Sequence, residues 1–164
     1  MNMLAVRRST AMVAAIVALA SWANPPPAQS DVNVALNGTY TATSDGQWAK
    51  TNEIFRIQPI VVSTWTITST CTSAYDCTGT VTTNHGWSAE IVYISRMWFV
   101  TRTLDAWVRC ADGTAAPGKQ IFKFYEDVNN KGRYVGWDTA TGPSGACGVN
   151  RPVFIEIPFT LAPG

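Results

Sequence analysis

Residues 61–71 read Val-Val-Ser-Thr-Trp-Thr-Ile-Thr-Ser-Thr-Cys, and this stretch decides the fold. Side chains of a β-strand alternate between its two faces, so one face here carries Ser63, Trp65 and Ile67. The other face is a row of threonines, whose β-branched side chains suit a half-exposed pleated surface. Helical spacing is absent from the stretch. It therefore predicts an antiparallel, all-β fold.

The same period-two rhythm, interrupted by turn residues, continues on both sides of this stretch. From Leu36 onward it predicts about eight to ten short strands with short connections and no helix. Neighbouring strands look joined by hairpins, so we expect an antiparallel, barrel-like meander, with a β-sandwich as the alternative. Residues 112–118, which hold an Asp-Gly and a Pro-Gly pair, predict a longer loop. Pro158 predicts that the last strand lies at an edge.

The first residues have the organisation of a secretory signal. Arg7 and Arg8 are followed by an apolar run at 11–20 and by small residues before position 23. We expect the chain to be exported, and so to be secreted or held in the cell envelope, meeting a membrane only during export. The predicted organisation is a signal peptide at 1–23, a Pro-rich disordered linker at 24–35 and a single β domain at 36–164.

The charge balance excludes some classes of partner. The chain has twelve Lys and Arg against eleven Asp and Glu, and loss of Arg7 and Arg8 with the leader leaves ten against eleven. A nearly neutral domain lacks the clustered basic face that nucleic acid or an acidic membrane requires. We therefore expect no nucleic-acid partner, and we expect a monomer.

An even number of cysteines in an exported chain predicts disulfides. Four cysteines allow three pairings, and we favour Cys71–Cys77 and Cys110–Cys147. Cys71 ends one predicted strand and Cys77 begins the next, so a hairpin would bring them within bridging distance. A zinc site is the weaker alternative, because the chain has no Cys-x-x-Cys spacing. We expect no metal and no cofactor.

Aromatic residues are the candidates for a binding site. Most of them are expected in the core, where a large ring buries much apolar surface. However, Trp98 and Phe99 point to opposite faces of their strand, and so do Trp107 and Val108, so one core cannot hold them all. We predict that a subset lines a site for a small hydrophobic, lipid or glycan ligand. The candidate ligand-binding residues are Trp65, Tyr93, Trp98 and Trp107.

Catalytic motifs are not recognisable in the sequence, so we expect no enzyme. His85 is the single histidine, and its Asn-His-Gly context is typical of a hairpin tip. A hydrolase that uses His85, or a pair drawn from the four Glu and seven Asp, is the alternative. A structural envelope protein or adhesin is a third hypothesis.

Three short patterns together resemble a known group of proteins. They are Gly38-Thr39-Tyr40, Ser63-Thr64-Trp65 and the segment from Ser69-Thr70-Cys71 to Cys77-Thr-Gly-Thr. The combination resembles small exported proteins of mycobacteria and their relatives. It is also similar to the extracellular portion of some actinobacterial receptor Ser/Thr kinases. The resemblance implies a secreted or envelope module that senses or binds something, and it supplies no catalytic residue.

Overall fold

The computed structural model describes residues 34–164, and this part of the chain is built from antiparallel β-strands. The predicted signal peptide, and most of the predicted linker, lie outside the described residues. Within the described part, no helix is long and apolar enough to cross a membrane. The strands are β1 Gly38–Ser44, β2 Lys50–Thr51, β3 Ile54–Phe55, β4 Val61–Ser73, β5 Asp76–Thr83, β6 Ser88–Ile94, β7 Met97–Arg109, β8 Ala115–Glu126, β9 Tyr134–Thr141 and β10 Phe154–Pro163.

Eight of these strands close into a barrel, which confirms the predicted fold class. Strands β4 to β10 pair in sequence order, β1 pairs with β4, and β10 pairs back with β1. The alternation predicted for β4 is also confirmed: Trp65 and Ile67 are buried inside the barrel, while Thr64 and Thr66 are exposed. Gly164 donates a backbone hydrogen bond to the carbonyl of Thr39 at 3.0 Å, so β10 ends beside the start of β1.

Both predicted disulfides are present. Cys71 and Cys77 face each other across the β4–β5 hairpin, with a Cα–Cα distance of 3.9 Å. Cys110, directly after β7, is bonded to Cys147 in the connection between β9 and β10. The described part of the chain holds no free cysteine.

The β7–β8 hairpin is longer than predicted. The loop predicted at 112–118 is therefore too long. Strand β8 already begins at Ala115, so Pro117 lies inside it. Leu104 pairs with Gly118 and Val108 with Ala116, which leaves Pro117 opposite an irregularity in β7. A proline, which has no N–H to donate, is tolerated at such a bulge.

Pro158 does not mark an edge strand, contrary to our expectation. Strand β10 pairs with β9 from Phe154 to Leu161 and with two different strands on its other side. That other side is taken by β2 up to Glu156 and by β1 from Phe159 onward. Pro158 lies in the gap between these two partners, where its missing N–H interrupts no ladder on that side.

The barrel interior is apolar at one end, which we call the apolar end. Leu36 is 1% exposed and packs there with Phe124 and Leu161. The Ser69 hydroxyl accepts a hydrogen bond from the Leu36 N–H and donates one to the Leu36 carbonyl, both at 2.8 Å. Asn37 accepts a further bond from the Ser69 N–H. The segment before β1 therefore closes this end of the barrel.

A small flap, residues 46–60, lies beside the opposite end. Strand β2 pairs with β10 and β3 pairs with β2, joined by a turn in which Asn52 and Glu53 have positive φ. The segment that returns to β4 crosses Gly46 so closely that a Cβ there would lie 2.2 Å from the Gln58 carbonyl oxygen. Only glycine fits this crossing. Gln58 and its neighbour Pro59 are thereby held over the end of the barrel.

Candidate functional site

Polar side chains occupy the interior of the barrel at the end opposite Leu36, which we call the polar end. Ser44 and Asp138 are buried there, and Arg102 and Gln120 are half-buried. Each belongs to a different strand, β1, β9, β7 and β8 respectively. Buried polar groups need hydrogen-bond partners, so such a cluster requires a defined network.

The strand rhythm explains why these side chains point inward. Arg102 has the same parity in β7 as the buried Trp98 and Val100, and Gln120 has the parity of Phe122 and Phe124 in β8. Our sequence reasoning did not single out these residues. The signal that could have found them is a charged or polar residue at a strand position where the alternation predicts an inward-facing apolar residue.

A continuous chain of hydrogen bonds joins the four residues. The Ser44 hydroxyl donates to Asp138 Oδ2 at 2.7 Å, and Gln120 Nε2 donates to Asp138 Oδ1 at 2.7 Å. Arg102 Nε in turn donates to Gln120 Oε1 at 2.6 Å. Gln120 therefore lies between the carboxylate and the guanidinium, and its amide orientation is fixed by both.

Trp87 connects this network to the aromatic core. The Arg102 guanidinium carbon lies 4.4 Å from the centroid of the Trp87 ring, a distance typical of a cation–π contact. Trp87 itself stacks on Phe122 and meets Trp65 edge-on at 5.5 Å. Arg102 is thus held by a hydrogen bond at Nε and by a rigid ring against its face.

Burial shifts the titration of both charged groups. It raises the pKa of the Asp138 carboxyl above its ordinary value, although the hydrogen bonds from Gln120 and Ser44 and the charge of Arg102 act in the opposite direction. Burial also lowers the pKa of the Arg102 guanidinium, and the charge of Asp138 opposes that change. Perturbed groups of this kind cluster at functional sites.

A cavity of about 310 Å³ adjoins the network at the polar end. Arg102, Gln120 and Asp138 contribute its polar surface inside the barrel, and Gln58 and Pro59 of the flap lie over it. Its remaining lining is apolar: Val61, Leu104, Trp107, Ala140, Ile155 and Ile157. An apolar cavity with a few convergent polar groups is the usual form of a small-molecule site.

Trp107 is the one predicted ligand-binding residue that lines this cavity. It lies in the irregular part of β7, and two glycines make room for its ring. A Cβ at Gly118 would lie 2.7 Å from the ring, and one at Gly142 would lie 3.3 Å from it. The ring therefore packs closely against the backbone at both glycines.

The other three predicted residues lie elsewhere. Trp65 and Trp98 are 0% and 2% exposed and belong to the core, where Trp65 Nε1 donates to the Ser63 hydroxyl at 3.0 Å. Tyr93 is half-buried and its ring lies 4.9 Å from that of Trp98. The structure does not bring these three residues together with Trp107 at one cavity. Ligand contact by Trp65, Trp98 and Tyr93 stays a prediction.

The residues of the hydrolase alternative are dispersed. His85 is exposed in the turn between β5 and β6, and Glu53, Glu90 and Glu126 are also exposed. Asp138 is the only acidic residue among those that line the cavity. Within residues 34–164, no three His, Cys, Asp or Glu side chains are grouped so that they could hold a metal ion.

Comparisons with known proteins support the fold. A scan against protein-family models matches none, and a search of curated proteins finds no match. Among solved structures, the chain is similar to the monomer form of the M. tuberculosis PknI sensor domain, with a TM-score of 0.61 at 15% sequence identity. The match covers 80% of this chain and 88% of that one. The similarity to extracellular domains of receptor kinases, predicted from short sequence patterns, is thus confirmed for the fold.

Proposed function

We propose that this protein is an extracytoplasmic binding module that takes a small ligand into the cavity at the polar end. The observation that carries the proposal is the convergence of Arg102, Gln120 and Asp138 on a cavity otherwise lined by apolar side chains. Its volume, about 310 Å³, is at the lower end of the range typical of small-molecule sites.

The energetics of the polar end also support a binding role. Desolvating charged groups is unfavourable, and apolar side chains of similar volume often give equal or greater stability. Arg102 and Asp138 are nevertheless retained inside the barrel, where hydrogen bonds and the Trp87 ring hold them in one arrangement. A preorganised polar cluster beside an open space suits recognition better than packing.

The extracytoplasmic location is part of the proposal. Two disulfides in a domain of this size are typical of oxidising compartments. They agree with the signal peptide predicted for residues 1–23. The similar M. tuberculosis protein is described as a sensor domain, and we propose a corresponding sensing or binding role here.

A thermal-shift screen with a cavity-blocking variant tests the proposal. Leu104→Trp is expected to fill the cavity, and Val128→Trp, at a position that is 86% exposed, is the matched control. At one hundred times its dissociation constant, a ligand that binds only the native state adds about 2.7 kcal/mol of stability. We expect at least one glycan, lipid or small hydrophobe to raise the melting temperature of the wild type and the control, but not of Leu104→Trp.

Two outcomes would contradict the proposal. One is a screen in which no pocket-sized compound shifts the melting temperature of the wild type. The other is a compound that stabilises Leu104→Trp as strongly as the wild type, because that compound would bind outside the cavity.

A further inference from the structure

We infer that the ligand of this cavity is a short amphipathic carboxylate, and that Arg102 binds its carboxylate. The inference rests on the proposed function, because it assigns a ligand class to the same cavity. It follows from which donors of the polar network are already used and which are not.

Arg102 is held in a defined orientation before any ligand arrives. Gln120 Nε2 donates to Asp138, so the amide oxygen of Gln120 faces Arg102 and accepts from its Nε at 2.6 Å. The Trp87 ring supports the guanidinium at 4.4 Å. A guanidinium fixed in this way loses little side-chain freedom when it binds a partner.

Among residues 34–164, the hydrogen bond of Nε to Gln120 leaves most of the hydrogen-bonding capacity of Arg102 available. A guanidinium has five N–H donors, and the hydrogen bond to Gln120 uses the one at Nε. Both oxygens of Asp138 already accept, from Ser44 and from Gln120. The terminal amino groups of Arg102, which lines the cavity, are therefore the donors that a ligand would meet. Their planar fork matches a carboxylate.

The rest of the cavity determines the body of the ligand. Leu104, Trp107, Ile155 and Ile157 present apolar surface. Burying an alkyl chain against such surface is favourable, and each buried methylene tightens binding by about fourfold. A volume of about 310 Å³ suits a single short chain or one ring system rather than a lipid with two acyl chains.

A cationic ligand is the competing possibility, since Asp138 is also in the site. Its carboxylate is buried and each of its oxygens already accepts one hydrogen bond, from Ser44 or from Gln120, so an amine would meet an acceptor that is partly satisfied and poorly exposed. Arg102 is only half-buried, and its terminal amino groups face the ligand with more donors. The geometry therefore favours the anion.

Three eight-carbon probes separate these possibilities on the wild-type protein: octanoate, 1-octanol and octylamine. Binding is measured at pH 7.5 by titration calorimetry and by the change in tryptophan fluorescence, to which Trp107 in the cavity wall and Trp87 beside Arg102 contribute. We expect octanoate to bind at least about tenfold more tightly than 1-octanol, because a charge-assisted bidentate contact is stronger than a neutral one. Octylamine is expected to bind more weakly than either.

Arg102→Met is expected to bring the affinity for octanoate down to that for 1-octanol. Arg109→Met, at an exposed position of the same strand, is the matched control and should leave the preference unchanged. If Arg102→Met does not fold, the preference of the wild type among the three probes decides the question alone.

The ligand class is overturned if 1-octanol or octylamine binds as tightly as octanoate, or if Arg102→Met keeps the preference. Binding of the three probes with no preference, blocked by Leu104→Trp, would leave the proposed function in place. Failure of all three probes to bind overturns the ligand class. The proposed function is then judged by the broader screen.

Discussion

The two ends of the barrel interior solve the same packing problem in different ways. At the apolar end, Leu36, Phe124 and Leu161 fill the space, and Ser69 satisfies the backbone of the segment that closes it. At the polar end, the same inward-facing rows continue with Arg102 and Gln120, and about 310 Å³ remains open. The apolar end therefore supplies stability, whereas the polar end keeps hydrogen-bonding groups beside an open cavity.

Truncation at the two ends gives the largest expected contrast. Phe124 is completely buried, so Phe124→Ala should lower the free energy of unfolding by about 3–5 kcal/mol. Leu104 already borders open space, so Leu104→Ala should cost only about 1 kcal/mol. Urea denaturation measures both, with the exposed Val128→Ala as control. Equal losses at the two ends would mean that the polar end is packed for stability as well.

The two disulfides also differ, in the length of chain that each one closes. Cys110–Cys147 spans 37 residues and Cys71–Cys77 spans 6. The chain-entropy model then gives about 4 kcal/mol for the first bond and about 2 kcal/mol for the second. We expect the variant in which Cys110 and Cys147 are both replaced by alanine to be less stable in urea than the variant in which Cys71 and Cys77 are both replaced. The reverse order would show that native contacts of Cys77, which is buried in the core, outweigh loop closure.

The smallest effect concerns the titration of Asp138. Because burial raises its pKa in the folded protein, the folded state binds more protons than the unfolded state at pH values between the ordinary carboxyl value and the raised one. The contribution of this group to stability is therefore greatest in acid and falls as the pH rises through that window. Asp138→Asn keeps an acceptor for Gln120 and a partner for Ser44, and it cannot ionise.

The measurement is the difference in unfolding free energy between Asp138→Asn and the wild type from pH 3 to pH 8. Other carboxylates, such as Asp112 and Asp127, titrate in both proteins and cancel in the difference. We expect the variant to gain relative stability as the pH rises. A flat difference would mean that hydrogen bonds at the polar end offset the burial of the charge completely.

Local patterns in the sequence were sufficient for the fold class and the sulfur chemistry. Alternation in β4 assigned Trp65 to the interior and the threonines to the surface, because side-chain direction depends only on position along a strand. The pairing of Cys71 with Cys77 followed from one hairpin. The loop predicted from Pro117 and the edge strand predicted from Pro158 were wrong. The bulge and the change of partner strand that accommodate these prolines depend on neighbouring strands.

The candidate site was harder to predict for a physical reason. Arg102, Gln120 and Asp138 meet through the registers of the β7–β8 and β8–β9 pairs, and Ser44 joins them only because β10 pairs back with β1 and closes the barrel. Parity along β7 was a signal that could have marked Arg102 as inward-facing, but it could not have shown that Gln120 lies between Arg102 and Asp138. Trp107 was one of four aromatic residues proposed because one core cannot hold all the aromatic side chains; it lines the cavity, and the other three do not.

The hydrogen bond from Gly164 to Thr39 has a practical consequence. The described chain enters its first barrel strand and leaves its last one at the same rim, on the side of Leu36 and away from Arg102. A biotin or solid support attached after residue 164 would therefore project the opposite rim into solution. Surface-immobilised protein should remain accessible to small molecules in flow-cell experiments, without redesign of the attachment point.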